Sequence, residues 1–269
     1  MAQRHTKRSS LSKSKWPVKY RPFFYKEIIM FDRLFKKLNK GVVTVGNNNH
    51  GNISGNNNVI INGKAHTNIS SNHPHVIGNG IENIIELTTQ PFDSIHLLGS
   101  IDVDFIASEE SKIKIQADEN IMALIDIRYK ANTLEIGFKP NTSFISHNPI
   151  IVLVSHPYLT HLELRGSGNI SISRLQEERF TAVLKGSGNI SLQGESKTVE
   201  LLLSGSGDIE ASKLIASNLD ATISGSGDIK AFANTSVRAN LKGSGDIIVH
   251  GRPSTQERSC SGSGSINIL

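Results

Sequence analysis

The sequence predicts an all-β fold, a β-solenoid with about 19–20 residues per coil in its C-terminal half, preceded by a short N-terminal amphipathic helix. Three observations carry this. The motif Gly-Ser-Gly-(Asn/Asp/Ser)-Ile occurs six times, starting at Gly166, Gly186, Gly205, Gly225, Gly243 and Gly262. The steps between starts are 20, 19, 20, 18 and 19 residues, and a period this regular marks a repeat architecture. Apolar residues flank each motif at spacing two, which is strand periodicity with one buried face and fits no helical period.

The registers can be read directly. Two positions before the first glycine stand Leu164, Leu184, Leu203, Ile223, Leu241 and Cys260, and four before it Leu162, Ala182, Leu201, Ala221, Ala239 and Arg258. Four after it every repeat has Ile, from Ile170 to Ile266; six after it stand Ile172, Leu192, Ala211, Ala231, Val249 and Ile268. Only Arg258 among these positions is polar, which marks the last coil as atypical. Cys260, at a core register, reads as a small buried hydrophobe.

Each coil therefore reads as strand, Gly-Ser-Gly corner, strand, then a polar connection. Glycine is expected at the corner because a sharp bend calls for positive φ. Coils stacked about 4.8 Å apart place equivalent side chains in ladders. One holds the motif serines Ser167, Ser187, Ser206, Ser226, Ser244 and Ser263; another holds Asn169, Asn189, Asp208, Asp228, Asp246 and Ser265. Upstream, Ile95-His96-Leu97 precedes Gly99-Ser100, and Ile101, Val103 and Phe105 follow at spacing two. Residues 84–269 thus read as one solenoid domain, with looser coils first and regular coils last.

Residues 1–40 form a basic extension. They carry twelve Lys/Arg against Glu27 and Asp32, a local +10, and the remaining chain is −5 (17 Lys/Arg against 22 Asp/Glu). Within it Phe24, Ile28, Phe31, Phe35 and Leu38 fall on one face of a helix over about 23–38, decorated by Lys26, Arg33, Lys36, Lys37 and Lys40. Such a helix either caps the open end of the solenoid or lies in a membrane interface. No RRM, zinc-finger or helix-turn-helix signature accompanies the charge, so nucleic acid is not the expected partner. No apolar run reaches the length of a membrane span, no signal-peptide h-region follows the basic residues, and Met30 offers an alternative start. Residues 41–83 are Asn/Gly-rich: Gly46-Asn47-Asn48-Asn49 recurs as Gly55-Asn56-Asn57-Asn58. They read as short coils with Asn ladders or as a polar linker, with a loop over 64–83.

Candidate chemistry is sparse. Asp208, Asp228 and Asp246 are the carboxylates the repeat aligns, and at coil spacing they would repel unless solvated, hydrogen-bonded or bridged by a cation. A calcium ladder is one reading; a ladder capping the glycine-rich corner is the other, and the mixture with Asn favours it. His66, His73 and His75 share a loop without a carboxylate or Cys at ligand spacing, and His147, His156, His161 and His250 are scattered, so no zinc site is expected. There is no P-loop, dinucleotide fingerprint or nucleophile elbow. The expectation is no cofactor and no catalytic constellation.

The Gly-Ser-Gly-Asp-Ile repeats, with the Phe92-Asp93-Ser94-Ile95 opening and the Val152-Leu153-Val154…Pro157…Leu159 run, resemble the head GIN domain family over roughly residues 86–266. The resemblance implies a right-handed parallel β-helix-like fold, export to the bacterial cell envelope and an adhesin-type role, and supplies no catalytic residues. The residues themselves offer a repetitive surface suited to a glycan or protein partner. The alternatives are a self-assembling scaffold, cytoplasmic or tethered through residues 23–38, that associates end to end as a homo-oligomer, and, more remotely, a polysaccharide-active enzyme.

Overall fold

The computed structural model describes residues 58–61, 64–67 and 75–269. The amphipathic helix expected at Phe24, Ile28, Phe31, Phe35 and Leu38 and most of the Asn-rich coils lie outside the described residues. Within the Asn-rich segment, β1 (Asn58–Ile61) pairs antiparallel with β2 (Lys64–Thr67). That is a hairpin, where stacked coils would require parallel pairing, and β2 occupies part of the stretch read as a loop. Among the described residues no helix is long and apolar enough to cross a membrane.

The solenoid begins earlier in the chain than its regular repeat. β3 (His75–Ile77) and β4 (Glu82–Leu87) lead to β5 (Ser94–Leu97), the Gly99-Ser100 corner and β6 (Asp102–Ala107). In chain order this is the first of the glycine-cornered units. The chain then leaves it through β7 (Lys112–Asp118), one 3₁₀ turn, β8 (Ile125–Lys130), β9 (Thr133–Phe138), β10 (Ser143–Ile145) and β11 (Ile151–His156). It returns with β12 (His161–Leu164), which lies parallel on β5, so that Leu162 faces Ile95 and Leu164 faces Leu97.

The excursion bears out the expectation of looser coils in part: β9 lies parallel on β5 and β11 parallel on β6, as the two arms of a further coil would, but other pairings differ. β4 pairs antiparallel with β7, β7 antiparallel with β11, and β8 antiparallel with β9. Alternation at spacing two marks a half-buried strand but carries no strand direction, so the sequence could not separate these pairings from solenoid coils.

From β12 onward the column is regular. β13 (Ile170–Leu184), β14 (Ile190–Leu203), β15 (Ile209–Ile223) and β16 (Ile229–Leu241) each run from one corner to the next and pair parallel in sequence order. The last coil is completed by β17 (Ile247–His250) and β18 (Thr255–Cys260), both on β16, and by β19 (Ile266–Ile268) on β17. The predicted registers align as read: Leu164, Leu184, Leu203, Ile223, Leu241 and Cys260 are successive partners, and so are Ile170, Ile190, Ile209, Ile229, Ile247 and Ile266.

Two features differ from expectation. The polar connections are themselves strands, and they bring in a further buried column of Phe180, Val199, Leu219 and Val237, six residues before each corner glycine. Steps of 18–20 residues are accommodated by register shifts, for example between Ala211 and Ile215, so coils of unequal length still meet in register at the corners. Cys260, expected inside, is exposed, as is all of β18. The Leu241 register below it is fully buried; Cys260 occupies the same register on the final coil, where no further described strand pairs with β18.

The corner glycines are needed for a different reason from the one expected. Positive φ is found at Gly80, Gly99, Gly194 and Gly251, and at none of the six repeat motifs. The requirement there is close approach. A Cβ on Gly186 would lie 1.9 Å from the Gly166 carbonyl oxygen, and one on Gly188 would lie 1.8 Å from that of Gly168. The same clash recurs up to Gly262 and Gly264. Two glycine columns let successive corners nest backbone to backbone, and Ser187 N–H donates to Gly166 O at 3.0 Å, with the later serines repeating the bond.

Candidate functional site

The corner edge carries two features that the fold repeats. The first is the Asn/Asp ladder. Asn169 N–H donates to Asp102 Oδ1 (2.8 Å), Asn189 N–H to Asn169 Oδ1 (3.0 Å) and Asp208 N–H to Asn189 Oδ1 (2.9 Å). The series continues through Asp228 to Asp208 (2.9 Å), Asp246 to Asp228 (2.8 Å) and Ser265 to Asp246 (2.7 Å). Each rung's side-chain oxygen thus accepts the next rung's backbone N–H, which satisfies a donor that the corner would otherwise leave to water.

This explains why the slot takes Asn or Asp and identifies Asp102, which the repeat pattern alone did not flag, as the first member. It also places the calcium candidates Asp208, Asp228 and Asp246: in each, one carboxylate oxygen is already committed to a backbone amide. Among the described residues, the group of His, Cys, Asp or Glu whose ligand atoms gather within 4.8 Å of one another is elsewhere, at His96, His161 and Glu163.

The second feature is an open groove of about 740 Å³ along the first corners. It is floored by Gly99, Gly166, Gly186 and Gly205 and edged by Ser100, Ser167, Ser187 and Ser206, with Phe138 at one end and Arg165 and Lys185 on its rim. The lining serines Ser100, Ser167, Ser187 and Ser206 are exposed, and Gly166, Gly186 and Gly205 beside them are half-buried.

The rim cations are held from below by Glu163, a buried carboxylate on the outer face of β12. Arg165 Nε lies 2.5 Å and Lys185 Nζ 2.8 Å from Glu163 Oε1, and Oε2 is turned toward His96 Nε2 at 3.8 Å. Burial alone raises the Glu163 pKa, but the hydrogen bonds from Arg165 and Lys185 outweigh it and bring it down to about 2. The carboxylate is ionised at neutral pH, and together the three groups leave a net charge of about +1 at the groove rim.

Sequence spacing missed the histidine neighbourhood. His96 and His161 are 65 residues apart in the chain, yet β5 lies on β12 with His96 directly opposite Glu163. The signal that could have found it was the Gly99-Ser100 corner: aligning it with Gly166-Ser167 places position 96 beside position 163.

With the corner geometry in place, the comparisons with known proteins are specific. A family described as "putative auto-transporter adhesin, head GIN domain" matches residues 91–253. The chain belongs to this head GIN domain family. Among solved structures, a putative adhesin from Bacteroides fragilis NCTC 9343 is 21% identical with a TM-score of 0.60, over 72% of this chain and 100% of that one. A protein from Parabacteroides distasonis ATCC 8503 described as a putative lipid binding protein is 24% identical with a TM-score of 0.50, over 72% and 99%. At these identities the likeness is one of fold. No curated protein matches the chain. Membership of the head GIN family agrees with the repeats that pointed to it, and the match covers the excursion from β7 to β11 and the regular coils through β17.

Proposed function

We propose that this head GIN domain is a non-catalytic binding module, and that its partner is a glycan held along the serine–glycine groove. The observation that carries the reading is the groove's composition and repeat. Serines Ser100, Ser167, Ser187 and Ser206 recur at coil spacing beside glycine backbone from the same corners. A polymer of hydroxyl-bearing units meets a matching row of donors and acceptors. The Phe138 ring at one end offers an apolar face against which a sugar ring can pack, and Arg165 and Lys185 suit an acidic or strongly hydroxylated substituent.

Adhesin-type family membership supports a binding role of this kind. The shallow, open form of the groove fits capture of an extended chain better than enclosure of a small substrate. A protein partner is the competing class. The test is to present the purified full chain to an array of bacterial and host polysaccharides alongside matrix and cell-surface proteins. Selective, saturable retention on polysaccharides supports the glycan reading. Retention on proteins alone replaces the partner class, and retention on neither refutes the groove as a recognition surface for these ligands.

A further inference from the structure

The cluster at His96, His161 and Glu163 adjoins the groove through Glu163, which holds the rim cations, and follows from the strand pairing. His161 and Glu163 are two residues apart on β12 and so project from the same face. His96, on the adjacent parallel strand, is opposite Glu163 and diagonal to His161. Neighbouring strands lie about 4.8 Å apart, so three side chains with donor atoms converge over one patch of sheet. Their donor atoms lie within 4.8 Å of one another, and the two imidazole centroids are 5.9 Å apart at an interplanar angle of 66°.

We propose that His96, His161 and Glu163 form a binding site for a divalent transition metal of the zinc class, with a fourth coordination position open to solvent. Two imidazole nitrogens and one carboxylate oxygen make up a donor set that suits zinc and its borderline neighbours and not calcium or magnesium, which take oxygen ligands. Zinc bonds of roughly 2.0–2.2 Å require the donors to close in somewhat from their present separations, and rotation of partly exposed imidazoles allows it; the His96 side chain is 27% exposed.

Glu163 is divided in a way that suits this role. Its Oε1 is taken by Arg165 and Lys185, and its Oε2 faces His96. The two cations hold the carboxylate through Oε1 and leave Oε2 toward His96, as an outer-shell partner orients a metal ligand. Their positive charge lowers affinity for a cation, so the expected binding is micromolar and weaker than that of a closed structural zinc site. The site stands or falls independently of the glycan reading.

The experiment uses the full chain freed of metal with a chelator and then titrated with zinc chloride, and separately with cobalt(II), by calorimetry and absorbance. One equivalent of zinc is expected to bind at micromolar affinity, with magnesium and calcium chlorides giving no heat. His96→Ala and His161→Ala should each weaken zinc binding at least tenfold while far-UV circular dichroism and the melting temperature stay as in the wild type. Cobalt should give visible d–d bands of a four-coordinate nitrogen–oxygen site in the wild-type protein, a readout that needs no variant. Absence of stoichiometric zinc binding or of those bands overturns the proposal. So does undiminished binding in the double His96→Ala/His161→Ala variant, which would place the metal elsewhere, for instance at His66, His73 and His75.

Discussion

The Asp228 backbone N–H donates to Asp208 Oδ1 at 2.9 Å, so one coil's ladder side chain closes the backbone of the next. The bond makes the ladder a structural device that depends on an acceptor oxygen and not on its charge. Asp208→Asn keeps the acceptor and should leave stability within about 0.5 kcal/mol of wild type, whereas Asp208→Ala removes it and should cost about 1 kcal/mol. Urea denaturation of the pair decides: equal losses from both would mean that charge or a bound cation, and not the amide bond, is what the ladder supplies.

Nesting of the corners predicts a sharp contrast between neighbours. A Cβ on Gly188 meets the Gly168 carbonyl at 1.8 Å and the preceding coil's backbone cannot withdraw without breaking its own pairing. Gly188→Ala should therefore cost about 3 kcal/mol or more, and Ser187→Ala, at an exposed position, less than about 0.5 kcal/mol. Similar midpoints for the two variants in chemical denaturation would contradict the close-approach account of the motif.

Much of this was legible beforehand, for physical reasons. Apolar alternation about Gly166–Ile170 and its repeats is set by which residues face the core, and burial of Leu184, Leu203 and Ile190 follows from it. The solenoid's regular coils and the ladder registers came from that pattern alone. The role of the corner glycines was not legible, because residue type does not report the distance between coils; φ and close approach both select glycine. The antiparallel pairing of β7 with β11 and the junction of His96 with Glu163 were hidden because they depend on which strands pair across the chain, Ile151 with Gln116 being 35 residues apart and Glu163 with His96 being 67.

Asp118 contributes to the pH dependence of stability, as does Glu163. Asp118 is fully buried, and it accepts hydrogen bonds from the His147 backbone N–H (2.7 Å), Ser146 Oγ (3.1 Å) and Asn148 Nδ2. Burial pushes its carboxyl up, but these donors outweigh it and hold the pKa below the ordinary 3.8. A carboxylate depressed in the folded state contributes stability that is present above the unfolded-state value and lost as pH falls through the folded one. Acid unfolding of the wild type should therefore draw on Asp118 only below about pH 4. Asp118→Ala should lose about 2–3 kcal/mol at pH 7 and show a flatter stability profile between pH 4 and pH 2. An unchanged profile would contradict the assignment.

Cys260 tests the end of the column. Its register partner Leu241 is buried, but Cys260 itself is exposed. The thiol should react completely with an aromatic disulfide reagent in the absence of denaturant, at a rate close to that in the unfolded chain. Protection that disappears only on unfolding would show that the last coil is covered.

The serine–glycine groove is proposed as the recognition surface. It is tested most directly by comparing wild type with Ser187→Trp, which fills the groove from an exposed position, for binding to the polysaccharide best retained by the wild-type chain. At least a tenfold loss of affinity is expected with an unchanged melting temperature; equal affinity in a folded variant would rule the groove out as the recognition surface.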